Sequence, residues 1–242
     1  MPVPKDDSRE RELESDLQEA RRQLEEAAEQ AQTLEAALKK VRMRHLNVVI
    51  CLDVTGSMTG QVEGLKREIT TLAKVLESLA PSAGIGVVAF GDRTWRQTIH
   101  QQPLVLASNL AALQSIVNRL SPNMDPQARR NRDGPEAVAT ALDQAVAMSW
   151  RPESRRRYVI VITDNAAYPE RVASALRTAQ QFSGRDGSFV SAVRANFTQD
   201  PRDRQAADRF LRQLAEAGNG QFVDAAGGES MMGTVLLAIL NT

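Results

Sequence analysis

The segment Leu52-Asp53-Val54-Thr55-Gly56-Ser57-Met58 holds the residues best suited to do chemistry. Asp53 is the first polar residue after the apolar run Val48-Val49-Ile50-Cys51-Leu52, so it stands where a buried strand ends. Thr55 and Ser57 follow at alternate positions, and a turn there can aim one carboxylate and two hydroxyls at a common point. Such a set is hard and oxygen-only, which suits Mg²⁺ and not a soft metal. Mg²⁺ takes about six oxygens, so three from this turn leave room for water, a second loop and an external group. The competing reading is that Asp53 and Ser57 cap the helix that follows.

Two further acids belong to the same question. The apolar run Tyr158-Val159-Ile160-Val161-Ile162 also ends in a hydroxyl and an acid, Thr163-Asp164. In a parallel sheet both runs finish at one edge, and two neighbouring carboxylates there repel each other unless a cation lies between them. Asp133 stands directly before Gly134-Pro135-Glu136. It can compensate a helix amino terminus, approach the ion, or do both.

The elements that must position these groups alternate between strand and helix. Unbroken apolar runs at 46–52, 85–90, 158–162 and 189–193 read as buried strands, and 221–223 as a short last one. The run 99–106 is mixed in polarity and contains Pro103, as expected of an edge strand. Helical stripes lie between them: Val62, Leu65, Ile69, Leu72, Val75, Leu76 and Leu79; then Leu110, Leu113, Ile116, Val117 and Leu120; then Val138, Leu142, Ala145 and Val146. Three more helices are expected within 172–182, 206–217 and 231–240. The fold class is therefore α/β, a doubly wound and mostly parallel sheet with one antiparallel edge strand, whose ligands bind beyond the carboxyl ends of the strands.

Residues 1–44 differ in kind, being rich in Glu, Arg, Gln, Ala and Leu. Leu13, Leu17, Ala20, Leu24, Ala27, Ala31, Leu34, Leu38 and Val41 alternate spacings of four and three, the seam of a long coiled-coil helix. The domain boundaries expected are 1–44 for this helix and 45–242 for the globular domain. The seam either pairs two copies through residues 13–41, giving a homodimer, or folds back on its own chain; its three alanines weaken the dimer.

The two acidic segments and Asp133 together carry a resemblance. Asp53-Val54-Thr55-Gly56-Ser57 resembles the Asp-x-Ser/Thr-x-Ser motif of von Willebrand factor A domains, and Ile162-Thr163-Asp164 resembles that family's later strand ending in Asp. The run from Asp133-Gly134-Pro135-Glu136 to Asp164 is similar to the alpha-kinase-associated and related bacterial branch. The resemblance spans roughly 46–240. It implies a metal-ion-dependent adhesion site of Asp53, Thr55, Ser57, Asp133 and Asp164, holding Mg²⁺, with Mn²⁺ or Ca²⁺ as alternatives. It also implies a non-catalytic module that binds a protein ligand through an acidic side chain. Asp133 stands where many relatives have Thr, and a third carboxylate implies firmer metal retention and weaker capture of an acidic ligand.

The proposed rim is basic: Arg129, Arg130 and Arg132 precede Asp133, and Arg93, Trp95 and Arg96 follow the second buried strand. Arg and Trp are frequent interface anchors; a solvated loop is the competing reading. Arg155-Arg156-Arg157 precedes the third buried strand, at the opposite edge, and reads as a solvated turn. The enzymatic alternative is a haloacid dehalogenase-type phosphotransferase with Asp53 as nucleophile. Against it, Val54 stands where the related pumps have Lys, and Asp164 lacks a following paired acid. No phosphate loop and no serine nucleophile elbow is present.

Composition narrows the remaining classes. The 242 residues hold 30 Lys plus Arg against 30 Asp plus Glu, which gives no global field to draw in nucleic acid or an anionic membrane. Cys51 is the one cysteine and sits within an apolar run, so a buried inert thiol is expected. No stretch is apolar enough to span a bilayer, and the first ten residues are polar rather than signal-like. A cytoplasmic location is the default expectation.

Overall fold

The computed structural model describes residues 45–124, 135–195, 201–225 and 230–240. The expected coiled-coil helix of 1–44, and with it the dimer seam of 13–41, lies outside the described residues, as do Asp133, Arg129, Arg130 and Arg132.

Among the described residues six strands form one sheet: β1 (His45–Asp53), β2 (Ser82–Phe90), β3 (Ile99–Leu106), β4 (Arg156–Thr163), β5 (Ser188–Arg194) and β6 (Asn219–Asp224). Their spatial order is β3-β2-β1-β4-β5-β6. All neighbouring pairs are parallel except β2 with β3. This is the doubly wound sheet with one antiparallel edge strand expected from the sequence. β1 is central and buried along all but its first residue, because helices cover both faces and leave no solvated side to favour polar alternation. β3 is only half-buried, and as an edge strand it accommodates Pro103 without losing a ladder bond on its free side.

Among the described residues six α-helices fill the crossovers: α1 (Thr59–Leu79), α2 (Leu110–Asn118), α3 (Val138–Ala147), α4 (Pro169–Ser183), α5 (Pro201–Ala217) and α6 (Met231–Leu240). α1, α2 and α6 pack together on one face of the sheet. The other face carries α3, α4 and α5 over Val49, Cys51, Val88, Val159, Val161, Val190 and Ala192. Each helix turns an apolar stripe inward; α1 buries Val62, Leu65, Ile69, Leu72 and Leu76, at the three-and-four spacing seen in the sequence. α4 begins with Pro169, where the missing N–H costs nothing. α6 is tied to α1 by the Met232 amide donating to Glu68 at 2.7 Å. Among the described residues no helix is long and apolar enough to cross a membrane. The Cys51 thiol is fully buried and its pKa is pushed up by that burial, so it is the inert core group expected.

Strand order places the site. The chain leaves β1 toward β2 and β3 on one side and returns to β4 on the other. The switch point of the winding therefore lies between β1 and β4, where the two loops diverge and open a crevice at the carboxyl edge. Leu52 pairs with Ile162, so the next residues, Asp53 and Thr163, flank that crevice.

Candidate metal centre

Asp53 is fully buried at the end of β1, and both of its oxygens are engaged. Oδ1 accepts the Thr55 amide at 2.8 Å and the Thr55 hydroxyl at 2.7 Å. Oδ2 accepts the Thr163 hydroxyl from β4 at 2.7 Å. The chain then closes a single 3-10 turn, Gly56–Met58, with the Met58 amide donating to the Thr55 carbonyl at 3.1 Å. That turn brings the Ser57 hydroxyl to 3.3 Å from the Thr55 hydroxyl. Ser57 also hydrogen-bonds the Asp164 carboxylate across the crevice. Asp164 is 2% exposed and accepts the Asn165 side-chain amide at 3.1 Å. Asp53, Thr55, Ser57 and Asp164 thus form one connected group, with both carboxylates buried and the Ser57 hydroxyl exposed to solvent. The helix-capping alternative does not describe it: neither the 3-10 turn nor α1 receives a side-chain cap.

The electrostatics of the group are unfavourable on their own. Burial pushes the Asp53 carboxyl up to about 7, and the nearby Asp164 charge adds to the rise; the hydrogen bonds from Thr55 and Thr163 oppose it. Burial also raises Asp164, against the Ser57 hydroxyl and its own backbone N–H. Among the described residues neither carboxylate forms an ion pair. Two buried like charges without a counter-cation are costly, and a cation placed between them would reverse that cost. The donors are all oxygens, and among the described residues no group of three or more His, Cys, Asp or Glu comes together. Carboxylate and hydroxyl oxygens are the kind of donor that a hard divalent ion such as Mg²⁺ takes.

Thr163 is the residue of this group that sequence reasoning left without a role. Its hydroxyl donates to Asp53 and accepts the Asn165 amide at 3.1 Å, so it locks β1 to the loop bearing Asp164. The pairing register of two runs ending Leu52-Asp53 and Ile162-Thr163 was the available signal. Asn123 was also missed. Its amide donates to the Val54 carbonyl at 2.7 Å, and its side chain covers Gly56, where an added Cβ would lie 3.0 Å from Nδ2. Glycine at 56 thereby lets the turn after α2 close against the motif.

The rim residues separate. Arg93 is exposed, stacks its guanidinium 4.0 Å from the Tyr168 ring centroid and pairs with Glu170 at 2.7 Å. Arg96 is exposed as well. Trp95 is a correction. It is 5% exposed, and its ring lies so close over Gly91 that a Cβ there would come within 2.2 Å of it. It fills the base of the loop, where a large apolar ring gains more from burial than from standing in water. The loop is fixed further by Asp92, which accepts the Thr94 amide and hydroxyl at 2.7 and 2.5 Å, the same local pattern as Asp53 with Thr55.

The phosphotransferase alternative finds no support in this geometry. A nucleophilic carboxylate needs an oxygen open to the phosphorus, and Asp53 is fully buried with Oδ1 and Oδ2 both hydrogen-bonded.

The comparisons with known proteins point the same way. No curated protein matches the chain. Solved structures do. The conserved hypothetical protein BatB from Bacteroides thetaiotaomicron is similar with a TM-score of 0.58 and 19% identity, over 81% of this chain and 98% of that one. An aerotolerance-related membrane protein from Bacteroides fragilis gives a TM-score of 0.56 and 20% identity, over 81% and 100%. The open conformation of the pilus adhesin SpaC from Lactobacillus rhamnosus GG gives 0.60 and 14%, over 82% of this chain and 29% of that one. At such identities the likeness is one of fold. In sequence, residues 48–166, which run from β1 through the end of β4 and contain every candidate ligand named above, match the family model of the von Willebrand factor type A domain.

Proposed function

We propose that this domain is a non-catalytic binding module that holds one Mg²⁺ ion, or Mn²⁺ in its place, and uses it to engage a protein partner. The observation that carries the reading is the pair of buried carboxylates, Asp53 and Asp164, joined through Thr55 and Ser57 with no ion-pair partner among the described residues. Asp53, Thr55, Ser57 and Asp164 would hold the ion, and Asp133 belongs to the same proposal on sequence grounds alone. When bound, the ion supplies an electrophilic centre able to accept an oxygen from outside the chain.

What the chain's own residues do follows from their placement. The buried carboxylates provide charge and are kept from water. The exposed Ser57 hydroxyl marks the side from which a partner's group approaches. Arg93, held flat by Tyr168 and Glu170, presents a positive charge on the loop after β2. The partner is best read as a protein carrying an acidic side chain, since a carboxylate satisfies both an ion and a rim arginine. The match to the von Willebrand factor type A family and the likeness to a pilus adhesin support a binding role.

The test is calorimetric titration of the metal-stripped 242-residue chain with Mg²⁺ and Mn²⁺, beside Ser57→Ala and Asp164→Asn. One-site binding in the wild type, weakened at least tenfold in both variants, is the expected result. Equal binding by all three would remove the ion from this site.

A further inference from the structure

The amino edge of the sheet, opposite the candidate metal centre, has no part in the function above. Two loops meet there. One leads into β4 and carries the run Arg155-Arg156-Arg157; the other joins α4 to β5 and carries Arg185 and Asp186. Backbone holds them together, the Arg157 amide donating to the Gly187 carbonyl at 2.8 Å. Gly187 adopts φ +66°, and an added Cβ would lie 1.9 Å from the Arg155 carbonyl oxygen. Glycine at this position is what lets the two basic loops touch.

The charges of this patch are not neutralised from within the domain. Arg155, Arg156 and Arg185 are exposed and Arg157 is half-buried, so the run is a solvated turn only in its first two residues. Among the described residues none of the four forms an ion pair. Other arginines of the domain do: Arg93 with Glu170, Arg171 with Asp143, Arg194 with Asp208 and Asp224. Of the acids on the two loops, Glu153 is drawn toward Arg151 at 3.9 Å, which leaves Asp186 to face four guanidinium groups. Arg156 lies 5.3 Å from the Phe189 ring centroid and Arg185 5.7 Å from that of Phe182. Guanidinium groups steadied in this way lose little freedom on binding an anion. Arg185 also complements the carbonyl end of α4, whereas Arg155 and Arg156 precede a strand and have no such role. The zero net charge of the chain therefore conceals a local basic edge.

Apolar groups at the same edge favour a lipid surface over a dissolved polyanion. Leu106 and Leu237 are the large apolar side chains left exposed among the described residues, at 46% and 44%. Leu106 pairs with Gly84 near the start of β2. Leu237 lies in the last turn of α6, which runs back from the carboxyl edge. Both stand toward the amino edge. β3 and β5 are four strand spacings apart, about 19 Å, so the basic and apolar groups are spread along a broad rim. Single-stranded nucleic acid would call for open aromatic faces in that row, but Phe182 is buried and Phe189 is half-buried with Arg156 over its ring.

We propose that this edge docks the domain on an anionic lipid surface, the arginines meeting the headgroups and the two leucines entering the interface. Docked so, the crevice at the carboxyl edge faces away from the bilayer.

The experiment is co-sedimentation of the 242-residue chain, in EDTA, with vesicles of phosphatidylcholine alone and with about one third phosphatidylserine. It is repeated with the triple variant Arg155→Gln, Arg156→Gln, Arg185→Gln and with Leu237→Ser. Lys39, Lys40, Arg42 and Arg44 are kept in every protein, so a loss in the triple variant reports the edge alone. Each arginine near an anionic surface raises partition about fivefold, so a loss on the order of 100-fold is expected for three. Leu237→Ser is expected to lose about fivefold, since roughly half of that side chain is left to bury. Release of the wild type on raising salt from about 0.1 to about 0.5 M is expected as well, and needs no variant. Equal sedimentation of wild type and triple variant, no preference for phosphatidylserine, or binding that survives salt would overturn the proposal. Unchanged vesicle binding by Leu237→Ser, or tighter binding to a random DNA duplex than to the vesicles, would remove the bilayer as the partner.

Discussion

Replacing Asp53 by Asn separates the charge of the candidate centre from its shape. The buried carboxyl is raised from 3.8 to about 7. A folded-state pKa above the unfolded value means that the folded protein holds the proton more tightly. Its contribution to stability is then fully present below about pH 4 and is lost as pH rises through 7. About three units at roughly 1.4 kcal/mol each make the ionised, metal-free state about 4 kcal/mol less favourable at pH 8. Asparagine cannot ionise. It keeps an oxygen for the Thr55 amide and offers an N–H to the Thr163 hydroxyl, which can accept it at the cost of one weakened bond of about 1 kcal/mol. In EDTA at pH 8 the variant is expected to be more stable than wild type by about 2–3 kcal/mol, and at pH 4 less stable by about 1. With saturating Mg²⁺ the order at pH 8 reverses, because the wild type gains the ion and the variant does not. Urea unfolding of both proteins at pH 4, 6 and 8, with and without Mg²⁺, measures all of this. A variant destabilised equally at every pH in EDTA would refute the claim that the carboxylate is under electrostatic strain.

Three other expectations are sharp enough to measure. Thr163→Val keeps the shape of the side chain but strips the donor from Asp53 Oδ2 and the acceptor from the Asn165 amide; a loss of about 2 kcal/mol in urea unfolding and weaker Mg²⁺ binding by calorimetry are expected. Arg151→Met, at the far edge, leaves Asn47 and Ser82 without their partner and is expected to cost about 3 kcal/mol while leaving Mg²⁺ affinity unchanged. Asp133→Thr is expected to bind Mg²⁺ more weakly than wild type in the same titration, and tighter binding would contradict the reading of a third carboxylate at the ion.

Most of the frame was legible because burial on both faces leaves little choice. The runs 46–52 and 158–162 have no alternation, a parallel sheet is the setting that buries both faces, and the first polar residue of each must then lie at the carboxyl edge. That reasoning placed Asp53 and Asp164 together before any coordinates. It did not reach Thr163 as a partner of Asp53, since register is set by two strands jointly and neither run declares it alone. Trp95 failed for a related reason. Next to two arginines it reads as a surface anchor, but the space above Gly91 is a feature of the folded backbone, visible in sequence only as a glycine four residues earlier.

At the carboxyl edge Asp53 and Asp164 are buried acceptors with no ion-pair partner among the described residues, and hydroxyls from Thr55, Ser57 and Thr163 hold them in place without neutralising them. Residual frustration of this kind is costly to retain, because substituting apolar residues of equal size is often neutral or stabilising for buried polar groups. The hydroxyl-rich arrangement at the carboxyl edge explains why the cost there is tolerable. Each carboxylate is solvated by O–H and N–H groups that donate to it but bring no charge, so among the described residues an incoming divalent ion would meet no side-chain cation to displace. An arginine or lysine in place of Thr163 would stabilise the metal-free fold and abolish the reason for the ion. On the proposed reading, a neutral donor at that position leaves the paired carboxylates free to take a cation supplied from outside.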